Sequence, residues 1–110
     1  MTRFSDGLGL KIRMNNDQSK FIWVFNGTGA QFPGALFLEK ELALLWISQH
    51  EVTGVLTKYP LNIGLYDWAL KMNYFAPKRD DQRSPEFIGK FTCASLEHYH
   101  CEDGVVVTSS

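Results

Sequence analysis

Leu10, Ile12 and Met14 alternate with Lys11 and Arg13, and this period of two predicts a strand with one face buried. Asn15, Asn16, Asp17, Gln18 and Ser19 follow. They carry turn chemistry, because Asn and Asp bond their own backbone and tolerate left-handed conformations. A hairpin is therefore predicted, with residues 20–26 as its second arm. Phe21, Trp23 and Phe25 fall on one side of that arm and Ile22 and Val24 on the other. A strand apolar on both sides is expected at the centre of a sheet, covered on both faces.

Asn26-Gly27-Thr28-Gly29 closes this strand, and a short extended piece is expected at 35–37. Residues 39–50 contain no Gly or Pro and place Glu39 and Glu41 where they complement a helix dipole, which predicts a helix. On a helical wheel Leu38, Leu42, Leu45 and Trp46 share one face, while Leu44 and Ile47 fall on the opposite side beside Lys40. A surface helix with one buried stripe does not need two large aliphatics there. Either a second layer covers them or they form part of a partner surface.

Residues 52–59 are rich in β-branched side chains and stop at Pro60, which reads as a strand ended by proline. Asn62 can cap a second helix, in which Ile63, Tyr66, Ala69 and Leu70 recur at helical spacing. The mixed-sign run 78–83 lies between Pro77 and Pro85 and reads as a solvated loop. Phe87, Gly89 and Phe91 alternate along 86–92, which predicts a strand paired with a last short one at 96–99. Glu102-Asp103-Gly104 ends that strand, and 105–110 adds an edge or frays.

The expected fold class is thus α+β. One domain spans 1–110, a mostly antiparallel sheet with two helices in the order β-β-β-α-β-α-β-β, with 1–19 as an added hairpin arm.

A length of 110 residues with 45% apolar and 21% charged residues is enough for one core and far from the profile of disorder. The net charge of −1 supplies no field for a phosphate backbone, so no nucleic-acid partner is expected. The longest apolar run, 42–47, falls far short of the roughly 18 residues of a membrane span. The first 20 residues lack the apolar core of a secretory signal. A cytoplasmic protein without a membrane partner is expected, with Cys93 and Cys101 reduced and a disulfide between them as the alternative.

Candidate chemistry is sparse. The glycine-rich run near 27–34 lacks the Lys and Ser/Thr of a phosphate loop and the G-x-G-x-x-G of a dinucleotide site. Cys93, His98, His100 and Cys101 form the candidate metal cluster, since side chains two apart on a strand face one way and four ligands suit a tetrahedral ion. The usual finger spacings are missing, however. The preferred reading is an exposed hairpin end with no metal and no cofactor.

No G-x-S-x-G elbow is present, and Asp67 between Tyr66 and Trp68 is an acid–base candidate only if it is buried. No catalytic residue is assigned, and no enzyme is expected. Eight Phe, three Trp and four Tyr exceed what a small core needs, which leaves Tyr59, Tyr66, Tyr74 and Tyr99 as candidates for a recognition surface.

Several stretches together resemble a family of small uncharacterised bacterial proteins. They are Trp23-Val24-Phe25-Asn26-Gly27, then Phe32, Gly34, Phe37 and Trp46-Ile47, then Thr53-Gly54-Val55-Leu56-Thr57-Lys58-Tyr59-Pro60, Tyr66-Asp67-Trp68-Ala69 and Phe87-Ile88-Gly89-Lys90-Phe91. The resemblance runs from about 21 to 104 and implies no established activity and no catalytic residue.

The leading expectation is a protein-binding module of the immunity type, which neutralises a cognate toxin by stoichiometric binding. Glu97, Glu102 and Asp103 would meet a basic toxin. The loop with Arg79, Asp80 and Asp81 and the patch of Leu44 and Ile47 would complete the interface. Two alternatives stand beside it: a small metal-assisted hydrolase built on His98 and His100, and a structural or regulatory subunit that homodimerises through the aliphatic patch.

Overall fold

The computed structural model describes residues 20–109, so the predicted strand at 10–14 and the hairpin arm 1–19 lie outside it. The described residues form a five-stranded antiparallel sheet with two main helices, an α+β arrangement.

The strand with apolar residues on both sides, β1 (Phe21–Gly27), does lie inside the sheet. It pairs along its whole length with β3 (Gly54–Pro60), from Phe21 opposite Pro60 to Gly27 opposite Gly54. Its other side is taken by β2 (Ala35–Phe37), with Trp23 opposite Phe37 and Phe25 opposite Ala35. β4 (His98–Glu102) lies on the far side of β3, and β5 (Val105–Ser109) closes a hairpin with it, giving the order β2-β1-β3-β4-β5.

The β4–β5 turn is Asp103-Gly104, both at positive φ, the two-residue geometry whose twist matches the flanking strands. Both sheet edges are blunted: β2 is three residues long, and β5 carries a bulge where pairing passes from Cys101 opposite Val106 to His100 opposite Thr108. The tail therefore forms an edge strand through Ser109.

The first helix, α1 (Lys40–His50), covers one face of the sheet. Ala43 and Ile47, 0% and 1% exposed, face Trp23, Phe25, Leu56 and Cys101. Leu44 and Trp46 flank that contact, with the Trp46 ring edge-on to Phe25 at 5.6 Å. Of the two expectations for Leu44 and Ile47, cover by another layer of the domain holds and a partner surface does not. Ile47 belongs to the core and Leu44 packs against it, so neither forms an exposed aliphatic patch. Leu38, Leu42 and Leu45, read as the inward face, are 72%, 51% and 53% exposed. The reason is steric: Ala43 has no bulk beyond Cβ and lets the helix axis approach the sheet, with Ile47 filling the space one turn later.

A second cluster is aromatic. It is built by α2 (Leu65–Lys71), a 3-10 turn (Asp80–Arg83) and α3 (Pro85–Gly89). The N-cap position of α2 is taken by Gly64, and Asn62 sits earlier in the turn at φ 64. Tyr66 is buried, with Phe75, Phe87 and Phe91 around its ring at 5.5–6.3 Å, and its hydroxyl donates to the Gln82 carbonyl at 2.8 Å.

The strand expected at 86–92 is a helix instead. Ser84 Oγ accepts from the Phe87 N–H at 3.1 Å, and Pro85 occupies the first turn with Glu86. That start signal outweighs the alternation of Phe87 and Phe91. The two rings, four positions apart, instead come to one side with centroids 6.1 Å apart. β4 accordingly pairs with β3 and β5.

Candidate partner-binding surface

Leu42 and Leu45 lie three positions apart and are exposed on the solvent side of α1, and Leu38 is exposed just before its N-cap. Phe32, 74% exposed, stands in the loop that leads into β2. Large apolar side chains exposed singly need no explanation, but several together on and just before one helix make a candidate contact surface.

Carboxylates stand at both ends of α1. Glu39 and Glu41 are exposed at the start of α1. At its other end Glu51 is exposed, and the β4–β5 turn brings Glu102 and Asp103 beside it. The Gly104 N–H donates to the Val52 carbonyl at 2.9 Å, and a Cβ on Gly104 would lie 3.0 Å from Glu51 Cα and 3.1 Å from the Ile47 carbonyl oxygen. Only a residue without a side chain, at φ +85, docks the turn this closely.

Lys40, in the first turn, has its ammonium on the sheet side. It donates to the Tyr99 hydroxyl at 3.2 Å and lies 5.1 Å from the Tyr99 ring centroid and 5.9 Å from that of Trp23. The hydrogen bond to Tyr99 raises the lysine's pKa, so it stays charged. Tyr99 in turn donates to Glu97 Oε2 at 2.6 Å, and the other oxygen of Glu97 is 3.9 Å from Lys58 Nζ. Charge is thus matched internally on this flank, while the outer flank of α1 is apolar with acidic ends.

The sequence-derived site residues separate into four places. Glu102 and Asp103 stand together, but Glu97 precedes β4 and lies roughly 16 Å away along an extended strand. It is tied to Tyr99 and Lys58 and does not belong to the acidic end. Arg79, Asp80 and Asp81 belong to the aromatic cluster's surface. Arg79 Nε reaches Asp81 Oδ1 at 2.9 Å, which holds the Asp81 carboxyl below its usual pKa, and Arg83 approaches Asp80 at 3.8 Å. Leu44 and Ile47 face inward, as described above. The residues that sequence reasoning missed are Phe32, Leu38, Leu42, Leu45, Glu39, Glu41 and Glu51. The available signal was the leucine spacing, assigned to the wrong side.

Cys93, His98, His100 and Cys101 do not converge. Tyr99 and Cys101 leave β4 toward α1, whereas His98 and His100 leave it on the other face. No group of three or more His, Cys, Asp or Glu side chains able to hold a metal ion occurs among the described residues. Asp67 is exposed, at the start of α2.

Both thiols are free, and Cys93 borders an open groove of about 700 Å³ between Phe75, Phe87, Phe91 and Lys90. Burial pushes the Cys101 pKa up. A thiol reagent is therefore expected to modify Cys93 in the native protein and Cys101 only on unfolding, as two kinetic phases by mass spectrometry. Equal rates at the two cysteines would contradict this placement.

A family model described as a domain of unknown function, DUF7710, matches residues 22–107. The chain belongs to this family. No curated protein and no solved structure matches it. The span that defines the DUF7710 family takes in all five strands wholly or in large part, α1 and the aromatic cluster, so the surface described here lies within it. No helix among the described residues is long and apolar enough to cross a membrane.

Proposed function

We propose that this DUF7710 chain is a protein-binding module that acts by stoichiometric association, in the manner of an immunity protein that neutralises a bacterial toxin in the cytoplasm of its producer. The observation that carries the reading is the exposed leucines, Leu42 and Leu45 on α1 and Leu38 just before it, with carboxylates at both ends of the helix. Its expected partner presents an apolar patch ringed by Lys and Arg. The apolar centre would supply most of the affinity, and the acidic ends would speed encounter and set orientation.

A second copy fits less well. Two α1 helices laid antiparallel would bring Glu39 and Glu41 of one against Glu51, Glu102 and Asp103 of the other, and like charges across an interface oppose it.

The test is co-expression with the product of the adjacent gene. A one-to-one complex that weakens as salt is raised is expected, with rescue of growth if that product is toxic. Failure both to copurify and to rescue would remove the inhibitor reading.

A further inference from the structure

The open groove of about 700 Å³ beside α3 takes no residue from α1. Its floor is preformed. The Phe75 ring stands 5.0 Å from Phe91 and 5.8 Å from Phe87, centroid to centroid, and the buried Tyr66 ring packs against all three. Rings already held by their neighbours lose little freedom when a ligand arrives. The volume belongs to ligands much larger than one amino acid, and because the groove is open a chain can enter and leave it.

The rim carries unpaired charge of both signs. Glu86 and Lys90 line the groove and are exposed, and neither side chain makes an ion pair or hydrogen bond among the described residues. Asp81 also lines it, but Arg79 neutralises that carboxylate. Glu86 and Lys90 are four positions apart along α3 and its C-cap, so their backbones lie about 6 Å apart along the helix axis. Two residues of an extended chain span about 6.6 Å. An extended peptide with opposite charges two positions apart therefore matches both. Successive side chains of such a chain point to opposite sides, so the residue between the charges turns to the floor while its neighbours turn to the rim.

Main-chain donors complete the lining. Thr92, Cys93 and Ala94 border the groove, and their backbone N–H groups find no acceptor among the described residues. Peptide carbonyls are suitable acceptors, since main-chain hydrogen bonds supply affinity in peptide recognition and side-chain pockets supply specificity.

We propose that this groove binds an extended peptide segment in which an aromatic or large aliphatic residue stands between a basic and an acidic one. The basic residue meets Glu86, the acidic one meets Lys90, and the residue between them packs on Phe75, Phe87 and Phe91. The site does not depend on the partner surface of α1.

The test is an amide-resolved NMR titration of the full-length chain with the end-blocked pentapeptide Gly-Lys-Phe-Glu-Gly. Saturable shifts of the Thr92, Cys93 and Ala94 amides are expected. The peptides Gly-Lys-Phe-Lys-Gly and Gly-Glu-Phe-Glu-Gly each set one like charge against the rim, and should bind roughly two- to fivefold more weakly, the scale of an exposed ion pair. Lys90→Glu, at an exposed position, should invert the order in favour of Gly-Lys-Phe-Lys-Gly, which a merely structural lysine would not do. Absence of saturable shifts, equal affinity for the three peptides, or an unchanged preference in folded Lys90→Glu would overturn the proposal. So would equal affinity for N-acetylphenylalanine amide, which would make the groove a small-molecule site.

Discussion

Replacing Gly54 with alanine is expected to destabilise the protein by roughly 3 kcal/mol or more, the upper range for overpacking a core. Gly54 opens β3 and lies opposite Gly27 on β1 and Cys101 on β4. A Cβ there would fall on the Asn26 carbonyl oxygen, and 2.8 Å from both Gly27 Cα and Phe25 Cζ. The first two obstacles are backbone of a paired strand, and the third is a ring 3% exposed. None can move without breaking the β1–β3 ladder or the core beneath α1. For a domain of this size the melting temperature should fall by roughly 12 °C or more. Gly89→Ala is the control: nothing lies within 4 Å of a Cβ at that position, so the change should stay within about 0.5 kcal/mol. Equal melting of the two variants would show that β1 and β3 are not held in this register.

The second large effect concerns which side of α1 is inside. Ile47→Ala empties a site 1% exposed and surrounded by Trp23, Phe25, Leu56 and Cys101, and should cost about 3 kcal/mol in transfer and cavity terms. Leu45→Ala trims a side chain 53% exposed and should cost within about 0.5 kcal/mol. A helix turned as its leucine content alone suggests would give the opposite ranking. Chemical denaturation of the two variants decides between them, because the midpoints move far apart only if one site is core and the other is surface.

Much of the fold was legible because some local rules agree with the global arrangement. Apolar residues on both sides of 21–25 placed β1 inside the sheet, and Pro60 marked where β3 stops. α1 was legible as a helix but not in its orientation, since aliphatics occupy both sides and a wheel weighs bulk without geometry. Ala43 was the overlooked clue, as a small residue is what permits a helix to approach a sheet. At 84–91 two signals competed, the Ser-Pro-Glu helix start and the alternation of Phe87 and Phe91. The start signal prevailed, because a capped first turn satisfies backbone donors that an unpartnered strand would leave exposed.

The candidate surface was half legible. Glu102 and Asp103, neighbours in sequence, stand together at one end of the sheet. Glu97 was grouped with them by sequence proximity, although an extended strand separates neighbours in sequence faster than any other structure. The carboxylate that does join them, Glu51 at α1's end, is distant in sequence and is brought there by the close docking of Gly104, while Glu39 and Glu41 stand at the other end of the helix.

In the proposed function, Leu42 and Leu45, turned outward on α1, meet a basic partner. The direct measurement is the affinity of the double variant Leu42→Glu, Leu45→Glu for the adjacent gene product, by calorimetry, beside its melting temperature. The expected result is a protein that melts within a few degrees of the parent and forms no complex, because two buried hot-spot leucines have become unpaired carboxylates. A folded double variant that binds one to one with undiminished affinity would contradict it.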